Sequence, residues 1–458
     1  MTQLHSRGQV FKYERYEIDA ATGTLSCHYR VDGRRFTERV TLNPDGNWAA
    51  PAAGAAARLV FLLAGVSYYK TAAPPTIDLG PLAVTDRERA FLREYYLDGL
   101  GEFAYRNGLD LSDLQIKGPR ADELALHSSR PGQAASGDSA ERVLIPFGGG
   151  IDSIVTVELV RPHADAALFI VNRPGDRFDA IERPAALTGL PILRADREID
   201  PQLLRSRELG FLNGHVPVTG ILSAIAVLAA VLEGRQDVIM SNEWSASVAT
   251  IQDGDKSINH QYSKSLAFEA GLRGVLGEAT AALPDGNAMP DYFSALRPRT
   301  ELWIAERFAH LRQYHGTFRS CNRAFHIDKS LRLDHWCGQC DKCCFIDLIL
   351  APFLPTEDLS RIFGGHEPLA DPSLAYRFRT LLGTSDGDKP FECVGEVNEC
   401  RAATLLAAQR PGRAGSKLLE ELASEVSVLP DHPSTEGMLR PVGDHFIPDM
   451  PAMKDVLA

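Results

Sequence analysis

The sequence predicts an α/β protein whose central part is a parallel sheet with flanking helices. Three observations support this prediction. Between residues 143 and 241, short apolar strands alternate with helical segments, as they do in parallel sheets with crossover helices. The first of these strands leads directly into three glycines. Ahead of this region, residues 9–42 alternate apolar and polar side chains, which is typical of half-exposed strands.

The same patterns divide the chain into four parts. Residues 1–126 form a predicted N-terminal α+β domain. Its predicted elements are strands at 10–18, 25–31 and 36–42 and helices at 55–69 and 86–107. Residues 127–140 are rich in Ser, Gly, Pro and Ala and predict a linker. Residues 141–354 form the central domain, and residues 355–458 form a predicted irregular C-terminal extension with short helices.

The central domain alternates strands and helices over its first hundred residues. The predicted elements are strand 143–146, helix 153–160, strand 167–172, helix 178–187, strand 191–195, helix 217–233 and strand 237–241. Open parallel sheets bind ligands beyond the carboxyl ends of their strands. The glycine run, Asn172 and residues 241–243 all follow such ends, so we expect them in one site, with Asn172 contacting a nucleotide.

Composition limits the classes of partner. The formal net charge of −12 argues against nucleic acid as a partner. The most apolar stretch, residues 216–232, is short and contains Pro217, so it predicts a buried helix rather than a membrane span. The first fifteen residues show no secretory pattern, and eight cysteines predict reduced thiols or a metal site. We therefore expect a cytoplasmic protein with no membrane partner.

The glycine run predicts a binding site for phosphate groups. Gly148, Gly149 and Gly150 let backbone N–H groups approach an anion, and the following helix directs its positive end at the same place. Ser153 adds a hydroxyl donor, and Asp152 can hold a magnesium ion. No lysine follows the glycines, which excludes the phosphate loop of ordinary NTPases. The alternative is a plain glycine turn between a strand and a helix.

Four cysteines predict a zinc site. Cys337, Cys340 and Cys343 are separated by two residues each, a spacing that turns successive thiolates toward one tetrahedral ion, and Cys321 is the natural fourth ligand. Cys344 is an alternative ligand that can replace one of these four. Four thiolates leave no open coordination position, so such a site is structural. The alternative is a group of small buried cysteines.

A polar segment between the two motifs is rich in groups that transfer protons. His260, Tyr262 and Lys264 lie within six residues and are candidates for acid and base catalysis. A capped, solvated helix start is an equally good explanation. Glu243, after a predicted strand, either binds magnesium or caps a helix. Of several arginines between 297 and 323, only Arg323, beside Cys321, is expected to bind substrate.

These motifs resemble known families. The glycine loop resembles that of the PP-loop ATP pyrophosphatases, with Gly148 in place of a leading serine, and with the cysteine motif the central domain resembles the 7-cyano-7-deazaguanine synthases. Across nearly the whole chain, the sequence is more similar to the UDP-N-acetyl-α-D-muramoyl-L-alanyl-L-glutamate epimerases. The segments that carry this resemblance are 67–71, 147–153, 241–243, 260–265, 320–323 and 389–395.

The resemblance implies a PP-loop fold and an ATP-dependent isomerase of peptidoglycan precursor synthesis. ATP, water and UDP-N-acetylmuramoyl-L-alanyl-L-glutamate would give AMP, diphosphate and the D-glutamate epimer through an acyl adenylate. For this reaction we expect the glycines and Ser153 to bind the departing diphosphate, and Asp152 with Glu243 to hold magnesium. Base and acid would come from the 260–264 segment, and Arg323 would hold a substrate carboxylate.

Three alternatives stay open at this stage. One is a PP-loop enzyme that adenylates a carboxylate and forms an amide or nitrile with ammonia. Another is a tRNA-modifying protein that carries sulfur on Cys393 or Cys400, which the acidic charge disfavours. The third is a sensor that binds ATP without cleaving it. The nucleotide products distinguish all three from the epimerase.

Overall fold

The computed structural model describes residues 7–122, 141–254, 256–386, 389–430 and 434–458. The strands are β1 Val10–Asp19, β2 Thr24–Val31, β3 Arg34–Thr41, β4 Thr76–Asp78, β5 Gln115–Lys117, β6 Arg142–Pro146, β7 Asp165–Asn172, β8 Ile192–Glu198, β9 Asp237–Met240, β10 Ile251–Asp253, β11 Lys256–Ile258 and β12 Asp291–Ser294. The helices up to the cysteine motif are α1 Pro51–Ala64, α2 Val66–Tyr69, α3 Asp86–Leu97, α4 Gly101–Asn107, α5 Ile151–Val160, α6 Asp179–Thr188, α7 Val218–Leu232, α8 Leu266–Ala281 and α9 Glu301–Ala309. They are followed by α10 Asp341–Leu350, α11 Thr356–Ile362, α12 Ala375–Leu382, α13 Val397–Ala408, α14 Lys417–Ser427 and α15 Lys454–Leu457.

Ten of these strands form one sheet, in the order β12-β9-β6-β7-β8-β3-β2-β1-β4-β5. The five strands from β12 to β8 are parallel, and β8 pairs antiparallel with β3 of the N-terminal hairpin region. Strands of the predicted N-terminal and central domains therefore share one sheet. The predicted linker, residues 127–140, lies outside the described residues. The mixed α/β class with a large, mostly parallel sheet is confirmed.

The parallel part of the sheet is doubly wound. In chain order its strands are β6, β7, β8, β9 and β12. In the sheet they lie side by side in the order β12, β9, β6, β7, β8, so the first strand of the chain order is in the middle. The chain thus starts in the middle, builds outward on one side and then returns to build on the other. Such a reversal leaves a crevice beyond the carboxyl ends of the two central strands, where ligands bind. Here those strands are β6 and β9, and the glycine run directly follows β6.

Helices cover both faces of this sheet. On one face α1 and α7 pack together, and every residue of α7 from Gly220 to Leu232 is buried except Leu222. The predicted buried helix is thus confirmed. The stretch Pro51–Tyr69 is apolar and long enough to cross a membrane, but 83% of its most apolar window is buried inside the protein. Its apolar surface is therefore used in the protein core.

The opposite face is covered by α5, α9, α10 and the C-terminal helices. The prediction of an irregular C-terminal extension was wrong, because α13 and α14 are regular helices that pack on α10 and on each other. In α14, Leu418, Leu419, Leu422 and Val426 recur at helical spacing and are buried. The sequence prediction also missed β12, whose four residues are all buried and show no alternation.

Candidate active site

The glycine loop connects β6 to α5 at the centre of the sheet. Gly149 has φ of +76°, and a Cβ there would approach the Ala180 carbonyl oxygen to 2.3 Å, so only glycine fits. Gly148 faces open space, which leaves its side of the loop accessible. Ser153 donates a hydrogen bond to the Gly150 carbonyl at 3.0 Å and so closes the turn. The loop therefore presents backbone N–H groups at the start of α5, in the arrangement that binds anions.

Buried carboxylates surround this loop. Burial and the neighbouring Glu243 raise the pKa of Asp152 to about 7, and burial with Asp152 and Glu243 raises the pKa of Glu301 well above its usual range. Glu243 is 3% exposed and Glu301 4%. Among the described residues, Asp152 Oδ1 and Glu301 Oε2 are buried without a hydrogen-bond partner. Unpartnered carboxylate oxygens that repel each other are the ligands that a divalent cation such as Mg²⁺ would take.

Two lysines face the carboxylates. The charges of Lys342 and Lys264 act to lower the pKa of Asp152, against the larger effect of burial. Burial alone would lower the pKa of Lys264, but Cys393, Glu243 and Asp152 raise it. Lys264 is thus a fixed cation between the carboxylates and Cys393. These carboxylates and lysines together combine oxygen atoms that can bind a metal ion with positive charge. This is a suitable environment for a polyphosphate.

Cys393 lies between a lysine and a histidine. Lys264 Nζ donates to Cys393 Sγ at 3.5 Å, and Lys342 Nζ donates to the Cys393 carbonyl. The charge of His260 also acts on the Cys393 side chain. Burial would raise the pKa of Cys393, but Lys264, His260 and Lys342 lower it to about 6. At neutral pH the side chain is therefore a thiolate.

His260 is held from the N-terminal part of the chain. Its Nδ1 forms a hydrogen bond with Glu102, and its ring lies 4.3 Å, centroid to centroid, from that of His215. Burial opposes the charged form, yet Cys393 and Glu102 raise the pKa of His260 to about 9. Burial and the charge of His260 lower the pKa of His215 to about 4, so His215 is neutral. Glu102 thus holds an imidazolium, and the charge of that imidazolium favours the thiolate form of Cys393.

A buried arginine fixes the backbone of this site. Arg297, which is 1% exposed, pairs with Glu269 at 2.9 Å. It also donates to the Glu243 carbonyl at 2.9 Å and to the Lys264 carbonyl at 2.6 Å. The guanidinium therefore joins the segment after β9 to the segment before α8. Because both segments supply site residues, Arg297 sets their spacing.

The four cysteines of the predicted zinc site converge. Their Sγ atoms all lie within 4.8 Å of one another. The separations are 3.8 Å for Cys321 to Cys340 and 3.5 Å for Cys343 to both Cys337 and Cys340. A tetrahedral ion with zinc–sulfur bonds of about 2.3 Å requires sulfur atoms about 3.8 Å apart, so the cluster has the dimensions of a zinc site. Cys344 lies outside the cluster, and burial raises its pKa.

The remaining predicted residues occupy three different surroundings. Asn172 is buried at the end of β7, where it lines an open cavity of about 870 Å³, and its Oδ1 has no hydrogen-bond partner among the described residues. Arg323 is exposed next to Cys321, in the segment that brings Ser320 close to Gly150. Tyr262 is not among the residues described around Cys393. It packs against Phe268, and burial raises its pKa far above neutrality.

Several residues of this site were not predicted from the sequence. Cys393 was considered only as a sulfur carrier and as part of the 389–395 segment, and Glu102, Glu301 and Lys342 were not considered. Lys342 carried a signal, because it lies inside the cysteine motif between Cys340 and Cys343. The others come from distant segments and share no spacing that would reveal them.

Fold and site together define an α/β protein with a glycine loop and buried carboxylates at the switch point of a doubly wound sheet. The family model "MurL N-terminal domain" matches residues 2–295, and "MurL C-terminal domain" matches residues 317–436. The chain belongs to the MurL family. No solved structure matches it.

Three curated relatives carry the same name, UDP-N-acetyl-alpha-D-muramoyl-L-alanyl-L-glutamate epimerase. The protein from Xanthomonas oryzae pv. oryzae is 37% identical over 447 residues, covering 96% of this chain and 95% of its own. The protein from Salinispora tropica is 39% identical, with 96% and 94% covered. The protein from a Micromonospora species is 39% identical, with 96% of each chain covered.

Proposed function

We propose that this protein converts UDP-N-acetylmuramoyl-L-alanyl-L-glutamate to its D-glutamate epimer through an acyl adenylate, with ATP cleaved to AMP and diphosphate. The names of the relatives support the epimerase activity. One observation carries the ATP-dependent route: an anion-binding glycine loop and buried carboxylates adjoin a group of proton-transfer side chains in a single site. The product is a precursor of peptidoglycan, and the eight free cysteines suit a reducing cytoplasm.

The route has a simple chemical reason. Removing the α-proton beside an ionised carboxylate would create a dianion, so that proton is very weakly acidic. Adenylation neutralises the carboxylate and gives an acyl group that can hold an enolate. Each unit by which the pKa of the α-proton falls corresponds to at most about 1.4 kcal/mol of barrier. The two epimers have nearly equal energies, so ATP cleavage supplies activation rather than driving force.

The ATP half of the site would be formed by the glycine loop. The backbone N–H groups of Gly148, Gly149 and Gly150 would bind the diphosphate, with Lys264 and Lys342 neutralising its charge. Asp152 and Glu243 would hold a magnesium ion, which neutralises phosphate charge when bound. The nucleoside end would enter the cavity beside Asn172. A cavity of this size can hold a nucleotide-sized ligand.

The cysteine cluster would hold a structural zinc ion. A bound ion would fix the 320–323 segment beside Gly150 and the start of α10, which carries Lys342. The site would thus depend on zinc for its shape without using it in chemistry. Arg323, exposed at the edge of the same segment, would hold a carboxylate of the substrate.

The test is the set of nucleotide products formed with the L,L-precursor. We expect AMP and diphosphate in equal amounts, together with the D-glutamate epimer, in the absence of ammonia. Asp152→Asn should reduce AMP formation by at least about a hundredfold, because it removes a charged ligand at the reacting phosphates. Asp285→Asn, a surface change of the same kind, is the control and should leave activity unchanged. ADP formation, an ammonia requirement or full activity of Asp152→Asn would contradict the proposal.

A further inference from the structure

We propose that Cys393 is the group that transfers the α-proton of the glutamyl residue on one face. This inference rests on the proposed function, since it assumes that an activated glutamyl group is deprotonated in this site. Epimerisation needs two such groups, because the proton leaves one face of the carbon and returns to the other. Cys393 would serve one face, and a different group would serve the second.

Cys393 lies beside a lysine and a histidine. Cys393 Sγ lies 3.5 Å from Lys264 Nζ, and the charge of His260 acts on the same sulfur. The imidazole is in turn held by Glu102. A sulfur next to a histidine that is oriented by a carboxylate is the recurring arrangement of an activated thiol.

This thiol is also near the glycine loop that would bind ATP. The charges of Cys393 and Asp152 affect each other, and Lys264 interacts with both groups. Cys393 therefore belongs to the same group of interacting charges as Lys264 and Asp152, which directly follows the glycine loop. A carboxylate that is adenylated at the loop would bring its α-carbon toward this cluster.

A second cysteine in the same region has different surroundings. Cys400 is fully buried in α13, and burial raises its pKa, so it is a neutral thiol. Cys393 differs because cations surround it, which gives it a pKa of about 6. A base is most effective when its pKa lies near the operating pH. Of these two thiols, only Cys393 meets this condition.

The step is a proton transfer without covalent attachment. The Cys393 thiolate takes the α-proton of the acyl adenylate, which forms an S–H bond and leaves the electron pair in the enolate. An acid on the opposite face then gives a proton to the α-carbon, and water hydrolyses the acyl–AMP bond. Cys393 loses its proton to solvent before the next turnover. In the reverse direction the Cys393 thiol is the acid.

The experiment uses Cys393→Ala and Cys393→Ser in deuterated water with ATP and either the L,L- or the L,D-precursor. Both variants should keep the exchange of labelled diphosphate into ATP, which measures adenylation alone. Epimerisation should fall by at least about a hundredfold. One epimer should still take up deuterium without inversion, through the remaining group, and the other should not. Cys400→Ala is the matched control and should behave like the wild type.

The outcomes separate this inference from the proposed function. If the wild type forms no AMP and diphosphate, the proposed function fails. If it does, but the Cys393 variants still epimerise both substrates, the proton-transfer role is wrong. Loss of diphosphate exchange together with epimerisation would assign Cys393 to adenylation instead. A substrate-sized mass bound to Cys393 and released by hydroxylamine would show a thioester, which also overturns the inference.

Discussion

The cysteine cluster and the surroundings of Cys393 use the same side chain in opposite ways. At the cysteine cluster, the four sulfur atoms lie within 4.8 Å of one another, at a spacing that suits one tetrahedrally coordinated ion. At Cys393, a single sulfur lies between the cations of Lys264 and His260. In our proposal, the first arrangement binds zinc and so holds segments of the chain together, and the second stabilises a thiolate that accepts a proton. The difference lies in the neighbours, not in the residue.

Loss of a cluster ligand should have the largest effect. Cys337→Ser would remove one of four zinc ligands, and we expect bound zinc to fall from one ion per chain to well below that. Structural zinc contributes strongly to folding, so the midpoint of thermal unfolding should fall by about 10 °C. Zinc content and thermal unfolding are the measurements. Cys344→Ala, a buried neighbour outside the cluster, should keep its zinc, and a zinc-free wild type of equal stability would refute the site.

Removal of the nearest cation should affect Cys393 without affecting stability to the same degree. Lys264→Gln takes away the charge that most lowers the pKa of this thiol, so that pKa should rise from about 6. At pH values below the new pKa, each unit by which the pKa rises lowers the thiolate fraction by up to tenfold. The rate of epimerisation at pH 6.5 should therefore fall by at least about tenfold, and higher pH should restore part of it. No change in the pH profile would contradict the role of this cation.

The pH profile of the wild type has a defined sign. Burial raises the pKa of Cys393, but Lys264, His260 and Lys342 lower it to about 6, so the thiolate exists above about pH 6. Below that value the thiol gains its proton, so epimerisation should decline as the pH falls through 6. The exchange of labelled diphosphate into ATP is recorded over the same pH range. Because it measures adenylation alone, it shows whether the loss of rate at low pH comes from Cys393 or from protonation at the ATP loop. An acid limb near the ordinary cysteine value would be inconsistent with this environment.

A smaller effect is expected when the histidine loses its partner. Glu102→Gln keeps the shape of the side chain but removes the charge that raises the pKa of His260. The imidazolium then supports the thiolate less, and the acid limb of epimerisation should move to higher pH by less than in Lys264→Gln. Comparison of the two profiles is the measurement. A larger shift in Glu102→Gln than in Lys264→Gln would reverse the order of influence proposed for the two cations.

The sequence predicts the parts of this molecule that repeat at short spacing. Strand and helix alternation identifies β6 to β9, and the glycine run and the cysteine spacing identify the loop and the cluster, because neighbouring residues form each of them. The pairing of β3 with β8 depends on contacts between distant segments and has no local signal. The strand β12 was also missed, because only two of its four residues are apolar, whereas the equally buried β9 has three.

The charged part of the site was harder to predict for the same physical reason. Glu102 and His260 are 158 residues apart in the chain, and Lys264 and Cys393 are 129 apart. Their chemistry depends on burial and on each other's charge, which only the fold supplies. His260 and Lys264 were predicted as candidates from their residue types, whereas Tyr262, the third candidate, packs away from Cys393. Residue type alone does not distinguish these outcomes.

The central claim is that ATP activates the substrate for proton removal in a single site. The most direct measurement is the uptake of deuterium at the glutamate α-carbon of the L,L-precursor, with and without ATP. The account predicts uptake with ATP and magnesium, accompanied by AMP, and none when ATP is omitted. Deuterium uptake at an equal rate without ATP would contradict it.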